Sequence, residues 1–523
     1  MRSAASGGGG AGLRPAGAAA GQGHEVELQV IGAALRAIAD EMGAVLVRAS
    51  FSPNIKERRD CSTAVFDGAG RMIAQAEHIP VHLGAMPEAV AAAMAIQPGP
   101  DDVVVLNDPF AGGTHLPDIT LVSRTCLGFA ATRAHHADVG AAEPGSLPAG
   151  SRTLAEEGVV VPPTLLDDRV LERLVRAMRN PDERRGDLRA QLAANRLAAR
   201  RTDELAARYG RDRLAAAAGE LLAYSERRVR LAIAEIPDGR YEAEDRVEAP
   251  GGTLALRAAV TVAGDAIDVD FEGTDPQHDG NLNCPLAVAR SAAYFVVRCL
   301  TDPDVPASGG AFAPVTVRAP AGCLVNARPP AAVAAGNVET SSRIVDLLFD
   351  ALAPVVDVPA HGQGTMNNVV LGNDGFTYYE TIGGGQGACP AADGPSGVHV
   401  AMSNTLNTPI EALELAYPLR VERYALRLGS GGAGRHRGGD GVIRELRVLE
   451  RCRLSVLAQR RAAGPRGRRG GADGAPGRTL LDGRELPAFA SAELEPGAVL
   501  RVETPGGAGW GVPIRSRPAG GRA

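Results

Sequence analysis

The most constraining feature of the sequence is a long helical block placed between two regions of strand-type patterning. Residues 165–236 carry Leu, Ala and Arg at helical spacing, with breaks predicted at Asn180-Pro181 and Tyr209-Gly210. Short apolar runs punctuated by Gly, Pro, Asn and Asp precede and follow this block, as is typical of strands and turns. This order predicts a mixed α/β (α+β) fold: one large, interleaved, multi-layer domain with a central helical block, rather than small domains in series.

Loose termini are expected to bound this domain. A disordered Gly/Ala-rich tail is predicted at residues 1–23, a single folded region at 24–512 and a second tail at 513–523. Within the folded region, an α/β part at 24–164 precedes the helical block. A glycine-rich, β-containing part at 237–512 follows it.

Charge and cysteine content exclude several classes of protein. Lys and Arg number 55 against 61 Asp and Glu, and the resulting net charge of −6 has the wrong sign for binding nucleic acid. The sequence contains no run of about 18 apolar residues and therefore predicts no membrane span. The N-terminal stretch also lacks the apolar block of a signal peptide. Seven scattered cysteines without a CxxC pair predict neither disulfides nor a thiolate zinc site, which favours the cytoplasm.

Histidines are concentrated in one stretch of the chain. Five of the ten lie between residues 78 and 136, namely His78, His82, His115, His135 and His136. His115 and Asp118 form a His-x-x-Asp pair, and the adjacent histidines follow after a strand-type run. Imidazole and carboxylate ligands in a setting poor in cysteine suit Zn²⁺, Mn²⁺ or Fe²⁺ in an open, catalytic-type site.

Strand patterning places the two motifs at one end of a predicted hairpin whose turn lies at residues 125–128. A hairpin centred near Leu127 puts Asp118 opposite His136, where cross-strand Cβ atoms lie about 4.5–5.5 Å apart. Successive residues of a strand face opposite sides of the sheet, so only one of the two adjacent histidines is expected to be a ligand. This register selects His136, with His135 as the alternative.

The geometry therefore predicts a metal site of His115, Asp118 and His136. A structural interpretation stays open, because His-x-x-Asp pairs are common and an Asp beside Pro or Gly often forms a turn. His78 and His82 are candidate acid–base groups or supports for the ligands. Their alternative role is that of loop histidines with ordinary hydrogen bonds.

Two polar patterns also allow an interpretation without a functional role. The charge run at residues 56–60 is typical of a solvated face. Asp187, Gln191 and Asn195 lie at i, i+4 and i+8 of a predicted helix, where they form either the lining of a cleft or, more commonly, an exposed face.

Nucleotide-binding and nucleophile motifs are missing from the sequence. The glycines of Gly383–Gly387 are suited to present backbone N–H groups to an anion, but no Lys-Ser/Thr follows as in a phosphate loop. A GxSxG nucleophile elbow is also absent. The residues alone therefore predict a metal-dependent enzyme without a nucleotide site of its own.

The chain resembles the hydantoinase B/oxoprolinase family over roughly Val26 to Val512. One departure is Ala141, where the family more often has a second glycine. The matching segments are FSPNIKERRD (51–60), AEHIPVHLG (76–84), NDPFAGGTHLPD (107–118), AHHADVG (134–140), GDLRAQ (186–191), GNVET (336–340), GTMNN (364–368), ETIGGG (380–385) and NTLNTP (404–409).

The resemblance implies a division of labour between two polypeptides. Members include the B subunit of ATP-dependent N-methylhydantoinase, the C-terminal half of 5-oxoprolinase and the large subunit of acetone and acetophenone carboxylases. A separate A-type part carries the ATP site and phosphorylates an amide or carbonyl oxygen, and the B-type part completes ring opening or C–C bond formation. In the carboxylase branch Mn²⁺ or Zn²⁺ is held by a His-x-x-Asp pair and a later histidine, which implies His115, Asp118 and His136 here, with His135 as the alternative.

The resulting expectation is the B subunit of an ATP-dependent hydantoinase or 5-oxoprolinase, which hydrolyses the C–N bond of a small cyclic amide. It would work in a hetero-oligomer whose A-type subunit uses ATP, with His78 or His82 as proton shuttle and Asp138 as a third catalytic candidate. The second hypothesis is the metal-bearing subunit of an ATP-dependent ketone carboxylase. The third, of another class, is a non-catalytic scaffold.

Overall fold

The computed structural model describes residues 16–513, and within that range helices and strands alternate as the sequence pattern predicts. The helices are α1 (Ala16–Ala49), α2 (Pro53–Lys56), α3 (Ala85–Ala95), α4 (Asp168–Ala177), α5 (Pro181–Tyr209), α6 (Arg211–Ile233), α7 (Leu286–Leu300), α8 (Gly309–Phe312), α9 (Ser341–Leu352) and α10 (Ile410–Ala416). Short 3₁₀ turns lie at Pro80–His82 and Leu154–Glu156, and a π-helical turn at Gly336–Thr340 runs directly into α9.

The strands are β1 (Cys61–Asp67), β2 (Met72–Glu77), β3 (Val103–Leu106), β4 (Asp118–Arg124), β5 (Gly128–His135), β6 (Thr164–Leu165), β7 (Gly239–Ala249), β8 (Gly252–Ala263), β9 (Ala266–Asp270), β10 (Val315–Arg318), β11 (Asn368–Gly372), β12 (Thr377–Glu380), β13 (Leu419–Arg427), β14 (Gly441–Val448), β15 (Cys452–Leu457), β16 (Arg478–Leu481), β17 (Arg484–Leu486), β18 (Phe489–Leu494) and β19 (Val499–Glu503). They form four sheets with the orders β2-β1-β5-β4-β3-β6, β10-β9-β8-β7, β12-β11-β15-β18 and β13-β14-β19-β16-β17.

The first sheet is antiparallel throughout and is covered on both faces. Helices α1 and α5 pack on one face, where Leu35 and Ala194 contact a core that includes Val65 and Ala134. The other face, which carries Phe66 and alternate residues of β5, belongs to the largest core. Because neighbouring residues of a strand point to opposite faces, each position on β5 faces either α5 or this interior.

The helical block begins and ends where its backbone signals predict. Asn180 adopts a left-handed conformation with φ of 55°, and Pro181 opens α5 at a position where a missing N–H costs nothing. Gly210, with φ of 85°, separates α5 from α6. Both predicted breaks are therefore confirmed.

The predicted interleaving is also confirmed, since the largest core joins residues from distant parts of the chain, from Ala64 to Leu457. The terminal predictions fall mainly outside the described range, which omits residues 1–15 and 514–523. Helix α1 begins at Ala16 and so includes residues 16–23, which the sequence had assigned to the tail. None of the described helices is long and apolar enough to cross a membrane.

Candidate metal centre

The β4–β5 hairpin brings a carboxylate and an imidazole together at its open end. Asp118, the first residue of β4, pairs with His135, the last residue of β5. The tip closes through a hydrogen bond from Thr125 N to Gly128 O of 2.9 Å, so the hairpin is centred between Cys126 and Leu127. The predicted register, centred on Leu127 itself, is therefore wrong by one residue.

This shift exchanges the two adjacent histidines, because a one-residue slip moves every side chain to the other face of the sheet. His135 takes the position that the sequence predicted for His136. His115 comes from the loop that leads into β4, three residues before Asp118. The ligand-type atoms of His115, Asp118 and His135 all lie within 4.8 Å of one another, and all three side chains are buried.

The two histidines face different oxygens of one carboxylate. His115 Nε2 lies 3.3 Å from Asp118 Oδ2, and His135 Nδ1 lies 3.4 Å from Asp118 Oδ1. These separations exceed the roughly 2.7–3.2 Å of a good hydrogen bond. Ligands about 2.05 Å from a tetrahedral ion lie about 3.3–3.4 Å apart, so the spacing fits neighbouring ligands of one cation.

A further histidine and a hydroxyl complete the surroundings of the carboxylate. His82 Nε2 lies 3.4 Å from Asp118 Oδ2, while its Nδ1 is 2.9 Å from Ser62 Oγ on β1. Thr114 Oγ1 donates to Asp118 Oδ2 at 2.5 Å. Asp118 is thus contacted by three imidazoles and one hydroxyl inside the protein.

Charge in this cluster suits a divalent cation. Burial lowers the pKa of His135 to about 4 and also lowers that of His82, which favours the neutral form of both rings. Burial alone would raise the pKa of Asp118, but His115 and His82 hold it well below its usual value. The donor set therefore combines an ionised carboxylate with imidazole nitrogens, the ligand types that suit Zn²⁺ and Mn²⁺.

The cluster lines a small cavity whose opposite wall comes from the second half of the chain. Asn337, on the π-helical turn, has its Nδ2 3.1 Å from His115 Nε2. Tyr379 on β12 stacks on His135 with ring centroids 4.6 Å apart. The remaining wall residues are Asp60, Ile79, Val81, Val338, Met366, Thr381, Ser403 and Thr405.

The charge run at residues 56–60 is solvated only in part, because Lys56 and Arg59 are exposed whereas Arg58 and Asp60 are buried. Arg58 is fully buried and donates to the Tyr379 carbonyl and to Thr381 Oγ1, the latter at 2.6 Å. Asp60 is also buried, which raises the pKa of its carboxyl to about 7. Arg58 is buried because its side chain spans the distance between α2 and the cavity wall at residue 379.

Three predicted site residues lie away from the triad. His136 faces α5, where its Nε2 is 3.0 Å from Gln191 Oε1. His78 is half-buried in a separate cavity beside Asp40 and Arg59. Asp138 accepts hydrogen bonds from backbone N–H groups of its loop and from Arg179 at 3.0 Å, and its catalytic role stays a prediction.

The polar stripe on α5 is buried, so its interpretation as an exposed face is wrong. Asp187 Oδ1 accepts the backbone N–H of Phe51 at 2.8 Å. Gln191 donates to Ile119 O at 3.0 Å, and Asn195 donates to Leu121 O at 3.1 Å. Gln191 and Asn195 therefore attach α5 to the hairpin that carries Asp118 and His135, and Asp187 attaches it to the segment before α2.

Sequence reasoning missed Asn337, Tyr379 and Asp60 as wall residues. Each falls in a segment that matches the family or directly precedes one, which is the only signal that could have found them. Asn337 is separated from His115 by 222 residues, and no local periodicity reports a contact across that distance.

Comparison with known proteins identifies the family of the chain. The sequence profile described as hydantoinase B/oxoprolinase matches residues 24–513. The chain belongs to the hydantoinase B/oxoprolinase family. The predicted resemblance is therefore confirmed.

Relatives from this family differ in length. The chain is 36% identical to 5-oxoprolinase 1 of Arabidopsis thaliana over 93% of this chain and 42% of that protein. It is 32% identical to the B-type subunit of a putative D-/L-hydantoinase from Pseudomonas sp. strain NS671 over 94% of this chain and 91% of that protein. The chain thus spans 40–42% of the length of the 5-oxoprolinases of Arabidopsis thaliana, Saccharomyces cerevisiae and Dictyostelium discoideum.

Two solved structures share the fold. The ATP-dependent caprolactamase of Pseudomonas jessenii is 27% identical, with a TM-score of 0.85 over 95% of this chain and 92% of that chain. A nucleotide-free acetone carboxylase is 18% identical, with a TM-score of 0.84 over 94% of this chain and 76% of that chain. The second likeness shows the fold alone.

Proposed function

We propose that this chain is the ring-opening subunit of an ATP-dependent cyclic amide hydrolase of the hydantoinase or 5-oxoprolinase type. The observation that carries the proposal is the buried triad of His115, Asp118 and His135, set in the wall of a cavity. Such a triad in a family whose relatives are named for cyclic amides supports C–N bond hydrolysis.

A Zn²⁺ or Mn²⁺ ion held by His115, Asp118 and His135 would supply Lewis acidity to the amide or to an attacking water. The chain's own residues prepare the reaction. Asp118 provides the negative charge that holds a cation in a buried place, and Thr114 fixes the orientation of its carboxylate through Oδ2. The stack with Tyr379 limits rotation of the His135 ring.

His82 is the better placed of the two proposed proton shuttles. Its Nε2 faces the cavity beside Asp118, and its Nδ1 contacts a serine hydroxyl, so it is suited to give a proton to the leaving nitrogen from Nε2. His78 lies in a different cavity.

The proposed partner is an A-type subunit that binds ATP and activates the amide oxygen. Two facts support it: this sequence lacks a phosphate loop, and its 5-oxoprolinase relatives are more than twice as long as the matched region. The product of the partner's step would enter the cavity at the metal centre for ring opening.

A ketone carboxylase is the second candidate, and the acetone carboxylase fold is compatible with it. The cyclic-amide assignment is preferred because several relatives above 30% identity are named 5-oxoprolinase and another is named a putative hydantoinase subunit. A scaffold role is disfavoured by the complete buried donor set.

The direct test has two arms. Elemental analysis of the purified chain should find close to one Zn or Mn per chain and almost none in His115→Ala, with His136→Ala as the matched control that keeps its metal. The chain co-expressed with an A-type partner should hydrolyse hydantoin or 5-oxoproline only with ATP. Equal metal content in wild type and His115→Ala contradicts the site, and full activity without the partner contradicts the division of labour.

A further inference from the structure

A groove at the edge of the first sheet lies apart from the metal cavity. Its volume is about 340 Å³, and small-molecule sites typically have volumes of about 300–1,000 Å³. The groove lies between helices α1 and α6 and beside the edge strand β2, and the loop at residues 304–307 forms a further wall. None of the described residues that line it also lines the metal cavity.

Each of the two helices turns one face toward the groove, with the spacing i, i+3 and i+4 that places side chains on the same side of a helix. The lining residues of these faces are Gln29, Gly32, Ala33 and Arg36 on α1 and Leu221, Tyr224 and Ser225 on α6. The helices approach closely because Gly32 has no side chain, and a Cβ atom there would lie 2.9 Å from Leu221 Cδ2. Leu35, Ile73 and Pro306 also line the groove, so much of its surface is aliphatic.

Two buried side chains of the groove wall each have an oxygen without a protein partner. Ser225 is 2% exposed, and its Oγ forms no hydrogen bond within the described part of the chain. Gln75 on β2 is 7% exposed, and its Oε1 has no hydrogen-bond partner either. Because buried polar groups normally have partners, a ligand that offers hydrogen-bonding groups would complete this wall.

Opposite charges stand on two different walls of the groove. Arg36 on α1 and Asp304 in the loop both line it and are both exposed. Neither side chain forms an ion pair or a hydrogen bond with another described residue, so the two charges do not neutralise each other directly. The loop that carries Asp304 is anchored, because Arg298 Nη1 donates to Val305 O at 3.1 Å and Val305 is 2% exposed.

This combination of groups matches a small zwitterion. A carboxylate complements Arg36, whose guanidinium can donate two parallel hydrogen bonds to it. An ammonium group complements Asp304, and an aliphatic side chain suits the apolar part of the lining. An α-amino acid carries all three groups, whereas a simple anion would leave Asp304 without a partner and a simple cation would leave Arg36 without one.

We propose that the groove between α1, α6 and β2 is a binding site for an aliphatic α-amino acid. The carboxylate of the ligand contacts Arg36, and its ammonium group contacts Asp304. Ser225 and Gln75 are placed to provide further hydrogen bonds. The site is separate from the metal centre, and the proposal does not depend on the ring-opening reaction.

Calorimetric titration of the purified chain tests the site with L-leucine and two analogues that each lack one charge. 4-Methylpentanoate lacks the ammonium group, and 3-methylbutylamine lacks the carboxylate. L-Leucine should bind saturably. Each analogue should bind about tenfold more weakly or worse, because it loses one charge-assisted interaction with the protein.

Variants assign each charge of the ligand to its partner. Arg36→Gln should weaken binding of L-leucine about tenfold and leave that of 3-methylbutylamine unchanged. Asp304→Asn should weaken binding of L-leucine to a similar extent and leave that of 4-methylpentanoate unchanged. The matched control is Arg227→Gln, which changes an exposed arginine of α6 outside the groove and should have no effect. Ala33→Phe fills the groove from the exposed side of α1 and should abolish binding of L-leucine.

Every result bears on the proposal. Absence of saturable L-leucine binding up to about 10 mM overturns it. It is also overturned if either analogue binds as tightly as L-leucine, if Arg36→Gln and Arg227→Gln lose affinity equally, or if Ala33→Phe binds normally. These titrations need neither ATP nor an A-type partner, so their outcome is independent of the proposed function.

Discussion

Gln191 should control metal affinity although it touches neither the metal site nor its cavity. Its Nε2 donates to Ile119 O at 3.0 Å and to Thr132 O at 3.3 Å, so its Oε1 is the atom that accepts His136 Nε2–H. Ile119 directly follows one ligand of the proposed site, and His136 directly follows another. Gln191 therefore holds the two strands of the hairpin at the level of Asp118 and His135.

Replacement by leucine removes all three hydrogen bonds and leaves His136 Nε2–H buried without an acceptor. At about 1 kcal/mol for each bond and 1–3 kcal/mol for the stranded donor, Gln191→Leu should lower the free energy of unfolding by about 4–6 kcal/mol. Groups that orient metal ligands typically contribute 10–100-fold to affinity, so the Kd for Zn²⁺ should rise by about that factor.

Asn195→Leu is the matched control on the next turn of α5. Asn195 donates to Leu121 O and Ser123 Oγ, both at 3.1 Å, nearer the hairpin tip. Its loss should cost about 2–3 kcal/mol of unfolding free energy with less than about a threefold change in Kd.

Chemical denaturation and competitive zinc titration of the purified chain measure the two quantities separately. The reasoning is refuted if both variants weaken zinc binding equally, since the effect would then follow general stability. It is also refuted if Gln191→Leu loses stability but keeps its affinity.

Three further outcomes are expected. Tyr379→Phe should keep the stack on His135 and its metal affinity, whereas Tyr379→Ala should weaken zinc binding about tenfold, as competitive titration will show. Burial raises the pKa of Glu339 to about 8. As the pH rises from about 4.5 to 8, the free energy of unfolding of wild type should therefore fall by a few kcal/mol relative to that of Glu339→Gln, as measured in denaturant titrations. A difference that does not change with pH would contradict this. Glu380→Gln should lower the free energy of unfolding by about 3–5 kcal/mol in the same assay, because it leaves Arg444 buried without its carboxylate partner. A loss under about 1 kcal/mol would show that water reaches this pair.

Local patterning predicted what depends on neighbours in the sequence. The breaks around α5 follow from Pro181 and Gly210, and the β4 and β5 strands follow from their apolar runs. The pairing of Asp118 with a neighbouring histidine required only that the hairpin exist. The choice between His135 and His136 depends on whether the hairpin is centred on Leu127 or between Cys126 and Leu127. The residue types in the turn do not specify its centre that precisely.

The residues that the sequence misassigned are those whose burial depends on long-range packing. Arg58 sits in a charge run that would be solvated on an isolated helix, yet its guanidinium donates across the fold to Thr381. Gln191 and Asn195 look like an exposed stripe until the hairpin carbonyls lie against α5. A buried polar group is costly without a partner, and these side chains find partners on distant elements of the fold.

The interleaved architecture provides both the ligands of the proposed metal site and the wall that surrounds them. One hairpin and its leading loop provide a carboxylate and two imidazoles, but these ligands alone would form an open site that water could flood. The wall that closes the cavity comes from the π-helical turn at Gly336–Thr340, from Tyr379 and from the loop with Ser403 and Thr405. Because ligands and wall belong to distant segments of one core, the metal site and the wall around it cannot form independently, and a fragment that ends before Gly336 should lack the enclosure that strengthens charge interactions.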